Sequence, residues 1–211
     1  AKTHIFLVDR PGLTQAQIRV GRLGIHRTYS NYPAVLPFNR YFGGNFGSRL
    51  NRKVRIEKGL TYSIQGANAA HRFAGSFQIG TFSKNESAAA SIREILAELR
   101  RACDEAPDAK ELEDSRSAIL ASFAGRYENP RSVLEDLWLR ESCGLPVDYF
   151  EKIQAGVAAA KAEDCQAVAK TVADPGTMAI VVVGDAAKLK ADLEAIAPVT
   201  MIGSRPATPA P

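Results

Sequence analysis

The sequence predicts an α+β fold in which a largely antiparallel, mixed sheet carries helices packed on one face. Two observations predict it. Strand-like segments gather towards the two ends of the chain, around a long helical run, and segregation of that kind favours a sheet with helices on one side. Near the start, Ala16, Ile18 and Val20 alternate with Gln15, Gln17 and Arg19, the pattern of a strand buried on one side only. No short-period repeat is visible, which removes solenoids.

The elements follow in order. A short apolar strand at 4–9 closes at Arg10-Pro11-Gly12, a turn signal. The alternating strand continues through Leu23 and Ile25, beyond Gly21. Tyr32-Pro33 opens a helix through Val35, Leu36, Phe38 and Phe42, which Gly43-Gly44 interrupts, and a basic helix at 48–57 stops at Gly59. Strands are expected at 60–64 and 75–82, the second with Phe77 and Ile79 on one side. Ala88, Ile92, Ile95, Leu96, Leu99 and Cys103 then share one helix face, with Glu94, Glu98 and Arg101 outside. A helix through Leu112 and Leu120 starts after Pro107-Asp108. Asn129-Pro130 caps another that carries Trp138 as a core anchor and ends at Gly144-Leu145-Pro146. Helices near 148–156 and 161–172, a central apolar strand at 177–183, a helix at 186–196 and a last strand at 199–202 complete the reading. The Pro- and Ala-rich 204–211 segment is expected to be a disordered tail, leaving 1–203 as the folded unit.

With 211 residues, 45% of them hydrophobic, the chain can bury a sizeable core. Its longest apolar run, Met178 to Val183, is far short of the roughly 18 residues of a membrane span. The start at Ala1, without an initiator Met or a signal pattern, reads as an excised domain or processed product, so no compartment follows. The net charge of +4 spreads over 27 basic and 23 acidic residues. The one dense basic cluster, Arg49, Arg52, Lys53 and Arg55, lacks the features of a nucleic-acid site. Cys103, Cys143 and Cys165 are too widely spaced for a metal or redox motif and read as semi-buried helix thiols, although one disulfide is open.

Chemistry is limited first by what is missing. His4, His26 and His71 form no H-x-x-E-H, H-E-x-x-H or H-x-x-x-H pair, so no helix can grip zinc with two imidazoles. No G-x-S-x-G elbow is present. The run from Phe42 to Ser48 lacks the G-K-[ST] ending of a phosphate loop, and glycines that allow close packing explain it better.

One stretch remains: Phe42-Gly43-Gly44-Asn45-Phe46-Gly47-Ser48-Arg49-Leu50-Asn51, then Val54-Arg55-Ile56-Glu57-Lys58-Gly59-Leu60-Thr61-Tyr62. It resembles the second half of M16 (pitrilysin-type) metallopeptidases, where a glycine-rich helix start leads to S-R-L and then R-x-E-K-G-L-x-Y. Upstream, 10–18 is similar to that family's P-G-x-x-Q-x-x-I segment, and Gly75-Ser76-Phe77-Gln78-Ile79 to its following strand. The resemblance spans nearly the whole chain except the tail. It implies a noncatalytic, substrate-binding half with no cofactor of its own, enclosing a chamber with a half or subunit that carries the zinc motif. It also implies that Arg55 and Tyr62, seven residues apart, contribute to the active site. Family members in bacteria are periplasmic or cytoplasmic, which leaves the setting open. The alternative is a scaffold subunit, like the core subunits of respiratory complexes, or a stand-alone peptide-binding module.

Physical chemistry suits that pair. Hydrolysis of a peptide builds negative charge on the scissile carbonyl oxygen, which a positioned phenol O–H can stabilise. A guanidinium can hold neighbouring carbonyls in a fixed fork, at about 1.5–3 kcal/mol for a charge-assisted bond. Gly59 predicts that the helix ends between the two residues, so that Tyr62 starts the next strand and points back. Glu57 and Lys58 read as a solvated helix end.

Overall fold

The computed structural model describes residues 2–203, and the expected tail at 204–211 lies outside them. Strands β1 (His4–Asp9), β2 (Gln15–Leu23), β3 (Ile64–Ala69), β4 (Ser76–Lys84), β5 (Ala179–Gly184) and β6 (Val199–Ile202) form one sheet in the order β3-β4-β2-β5-β1-β6. Neighbours from β3 to β5 pair antiparallel, while β1 runs parallel to both β5 and β6. The helices are α1 (Tyr32–Asn39), α2 (Asn85–Asp104), α3 (Ala109–Ala124), α4 (Pro130–Cys143), α5 (Tyr149–Ala159), α6 (Ala162–Val172) and α7 (Ala186–Glu194).

Strand alternation does what the sequence predicts. Ile5, Leu7, Ala16, Ile18, Val20, Phe77, Ile79, Ile180 and Val182 are fully buried on one face. Helices α1, α2 and α7 lie against the strands, and α3, α5 and α6 pack behind them. Phe38 stacks on Phe42 at 5.3 Å and meets Phe77 at 6.3 Å, which joins α1 to β4. The other sheet face presents Gln17, Arg19, Gln65 and Gln78 to solvent.

Four expectations are corrected. The strand expected at 60–64 begins at Ile64 and runs to Ala69, through Gln, Gly, Ala and Asn residues with little β-propensity. It is an edge strand, and side chains cover its outer backbone. Asn39 Oδ1 accepts from the Asn68 N–H (2.8 Å), Asn39 Nδ2 donates to the Asn68 carbonyl (3.0 Å), and Asn51 Nδ2 donates to the Ile64 carbonyl (2.8 Å). Between them Gly43 lies over Gly66, where a Cβ on Gly43 would come within 2.6 Å of the Gly66 nitrogen and oxygen. The Gly43-Gly44 pair therefore serves close packing and does not interrupt the helix, which continues in wide π-type turns over Arg40–Gly44 and breaks at 45–48.

Trp138 is not a core anchor but 73% exposed, beside exposed Leu134 and Leu137. The buried side of α4 carries Asp136, which the Arg126 guanidinium binds, while the apolar stripe faces outward. Glu98, expected outside, is buried on α2, with Arg101 Nη1 3.9 Å from Oε2. The three cysteines are free thiols on α2, α4 and α6, and burial pushes Cys165 up to about 12.

Candidate functional site

The segment from Asn45 to Thr81 builds the site. Leu50 and Val54 are fully buried and fix one side of a helical stretch that continues as π-type turns over Asn51–Glu57. Arg49 anchors its start: Nε and Nη2 bond both oxygens of Glu111 at 3.0 and 2.6 Å, and Nη2 also reaches the Ala106 carbonyl. Asn51 ties the same stretch to the Asn45 carbonyl and to β3. Lys53 pairs with Glu57, and Lys58 with Glu94, at the solvated end.

Gly59 then turns the chain. Its φ of 61° is a left-handed conformation that side chains disfavour, and the N–H groups of Gly59 and Leu60 close on the carbonyls of Arg55 and Val54. The following loop is pinned on both sides of Tyr62. Thr61 Oγ1 donates to the Phe82 carbonyl (2.6 Å) and accepts from the Ser63 N–H (3.2 Å), and the Thr81 hydroxyl donates to the Ser63 carbonyl (2.8 Å). Tyr62 therefore sits in a fixed loop before β3, not in a strand, with its ring 76% exposed.

The reversal brings Arg55 and Tyr62 together. Arg55 Cζ lies 5.0 Å from the Tyr62 ring centroid and 4.6 Å from that of Phe46, so the guanidinium is in cation–π contact with two exposed rings. Among the described residues no carboxylate pairs with Arg55. Contacts of this kind use no N–H donor, so the guanidinium N–H groups are left for a carbonyl or carboxylate. Tyr62 lines a recess of about 290 Å³ with Gln15, Thr61, Phe82 and Lys84. Phe46 was missed by sequence reading, because its role depends on a turn that returns the chain over Arg55.

The histidines lie elsewhere. His4 bonds Thr200, His26 bonds Thr28, and the backbones of His26 and His71 meet in an isolated bridge. Among the described residues no three His, Cys, Asp or Glu side chains gather to hold a metal, so the residues present do not fit a zinc site.

Two curated relatives match just over half of the chain. An uncharacterized zinc protease YmxG of Bacillus subtilis is 29% identical over 121 residues, 56% of this chain and 29% of its own length. A non-peptidase homolog YmxG of Helicobacter pylori is 29% identical over 115 residues, 53% of this chain and 26% of its own length. The chain thus spans less than a third of the curated relatives it matches. Among solved structures, the fold is similar to a peptidase M16 inactive domain from Pseudomonas fluorescens (TM-score 0.81, 24% identity), covering 87% of this chain and 44% of that one. It is also similar to a protease from Helicobacter pylori (0.78, 17%, covering 86% and 44%) and to a chain of Complex III2 from Candida albicans (0.70, 14%, covering 93% and 50%). The family model described as the peptidase M16 inactive domain matches residues 1–119, more than half of the sequence, and the chain belongs to that family.

Proposed function

We propose that this chain is the zinc-free, substrate-holding half of an M16-type endopeptidase and works with a zinc-bearing half, on a separate subunit or on the same longer chain. The observation that carries the reading is the contact of the Arg55 guanidinium with the Tyr62 ring at 5.0 Å, with no carboxylate pairing with Arg55 among the described residues. The metal chemistry belongs to the partner half. Here, Arg55 holds carbonyls of the bound peptide, and the Tyr62 O–H donates to the oxygen on which negative charge develops. A pinned loop suits that task, since donors already in place need no reorganisation during the reaction.

The test is reconstitution with a zinc-motif half and assay of peptide hydrolysis. The lone chain is expected to be inactive. Tyr62→Phe is expected to lower kcat of the assembled enzyme by about 10²-fold, the effect of removing one oxyanion donor. Arg55→Ala is expected to lower kcat/KM by about 10- to 100-fold, from a charge-assisted bond of about 1.5–3 kcal/mol. Unchanged kcat in Tyr62→Phe would defeat the tyrosine role, and hydrolysis by the lone chain would defeat the whole reading. The second reading, a scaffold without hydrolysis, draws on the relative named a non-peptidase homolog. An assembled complex that is inactive towards all peptides would favour it.

A further inference from the structure

We propose that the open sheet face leading away from Tyr62 is a trough for an extended peptide rich in carboxylate side chains. This deepens the preceding reading and rests on it, because the trough serves a peptide that reaches Arg55 and Tyr62.

The first observation is a segregation of charge. The chain has 23 Asp and Glu residues, yet the only one within the six strands is Asp9. Asp9 does not face the trough: its Oδ1 accepts from the Ala186 N–H at the start of α7. Strand register gives the outward row Gln65, Gly80, Arg19, Val181, Phe6 and Thr200 across the sheet. The next row is Phe82, Gln17, Val183, Val8 and Ile202, again without an acid.

The second observation is that the cations of this face are uncompensated. Arg19 lies across Gly80, with its Cζ 3.3 Å from where a Cβ would stand, so a larger residue there would push the guanidinium back by a few tenths of an ångström. Its Nη1 donates to the Ile18 carbonyl (2.9 Å), which holds the side chain on the sheet without neutralising it. Among the described residues neither Arg19 nor Lys84 pairs with a carboxylate, as is true of Arg55.

The third observation is continuity. A trough of about 740 Å³ over β3, β4 and β2 contains Arg19, Gln17, Gln65 and Gln78, and it meets the Tyr62 recess at Phe82. The glutamine amides offer both donors and acceptors to an extended backbone. A peptide must lie on the face, because Asn39, Asn51 and Gly43 already cover the outer edge of β3, where strand addition would otherwise occur. Arg55, Lys84 and Arg19 then mark a path along which acidic side chains find unpaired cations.

The test measures binding by this chain alone, using fluorescence anisotropy with short labelled peptides in which Glu, Gln or Lys alternates with the same neutral residues. The Glu peptide is expected to bind tightest, and its advantage to shrink as salt rises. Arg19→Gln is expected to weaken the Glu peptide about fivefold, the upper range for one exposed ion pair, and to leave the Gln peptide unchanged. Arg19→Glu is expected to reverse the order of the Glu and Lys peptides, with an unchanged melting curve showing that the fold persists. Equal affinity for the three peptides, no binding of the Glu peptide at about 1 mM, or an oligonucleotide that displaces it more effectively would each overturn the proposal. The two readings separate cleanly. Acid preference with full assembled activity in Tyr62→Phe keeps the trough and removes the catalytic role. Activity that depends on Tyr62 without any charge preference does the reverse.

Discussion

Arg55 shows how a half-buried charge can be held by aromatic rings, with no carboxylate partner among the described residues. A salt bridge would fix the guanidinium but occupy the donors that a substrate needs. Two aromatic rings beside the cation restrict it without occupying its N–H donors, each such contact contributing about 0.5–1 kcal/mol at an exposed site. On the proposed reading Phe46 is a positioning residue, its exposed ring 4.6 Å from the Arg55 Cζ. Phe46→Ala is expected to increase the mobility of the Arg55 Nε–H group in side-chain NMR relaxation, and to lower kcat/KM of the assembled enzyme about two- to fivefold. Phe46→Tyr should restore both. Unchanged relaxation in Phe46→Ala would show that Tyr62 alone holds the cation. Arg55 and Tyr62 were named as a pair by the resemblance of the surrounding motif, and the fold brings their side chains into contact. Phe46 was not, since nothing in a linear pattern says that an aromatic nine residues upstream folds back over the same guanidinium.

At the scale of elements, β3 owes its place to the helical turns beside it. A strand of small and polar residues is weakly specified by its own sequence, and an uncovered edge invites mispairing. Here the two asparagines replace a neighbouring strand, and Gly43 permits the backbone contact between them. Gly43→Ala is expected to cost about 1–3 kcal/mol in a urea melt, as overpacking does. Hydrogen exchange should rise first at 64–69 and the neighbouring loop that carries Tyr62. A variant with wild-type stability would mean that the turn yields without loss. The same dependence explains why the strand was misplaced by sequence reading: the apolar Leu60 and the β-branched Thr61 suggested it, but the hydrogen-bonding partners that define it lie on a different element. Helix α4 gives the complementary lesson. Apolar spacing reveals an apolar face but not where it points: here Asp136, paired with Arg126, lies on the buried side and the apolar residues face outward.

For the whole molecule, two buried carboxylates give opposite responses to pH. Burial alone raises the Glu111 carboxyl, but the Arg49 bonds outweigh it and leave it below its ordinary value. Its contribution is therefore present at neutral pH and lost as pH falls. Glu98 is the reverse: burial raises it, and Arg101 only partly offsets the rise. The folded state then holds the Glu98 proton more tightly than the unfolded chain does. Stability from this group is highest below the ordinary value of 4.5 and declines as pH rises through it towards the raised folded value. Glu98→Gln is expected to raise the urea midpoint at about pH 7 and to bring little gain at about pH 4, where the carboxyl is largely neutral in the folded state. An equal gain at both values would point to packing instead of charge.

The sequence by itself determined the fold class, the one-sided burial of β2 and β4, the presence of strands β1 and β5, most helix limits, the absence of a zinc-binding histidine pair and the motif holding Arg55 and Tyr62. These are local properties: periodicity, capping residues and short spacings act within a few turns of chain. Only the tertiary structure decided where β3 lies, that Trp138 faces outward, that Glu98 is buried, that Phe46 closes on Arg55, and that one sheet face carries no carboxylate. Each depends on residues far apart in sequence meeting across the fold, and a pattern that names an apolar or charged side chain does not name the surface it will meet.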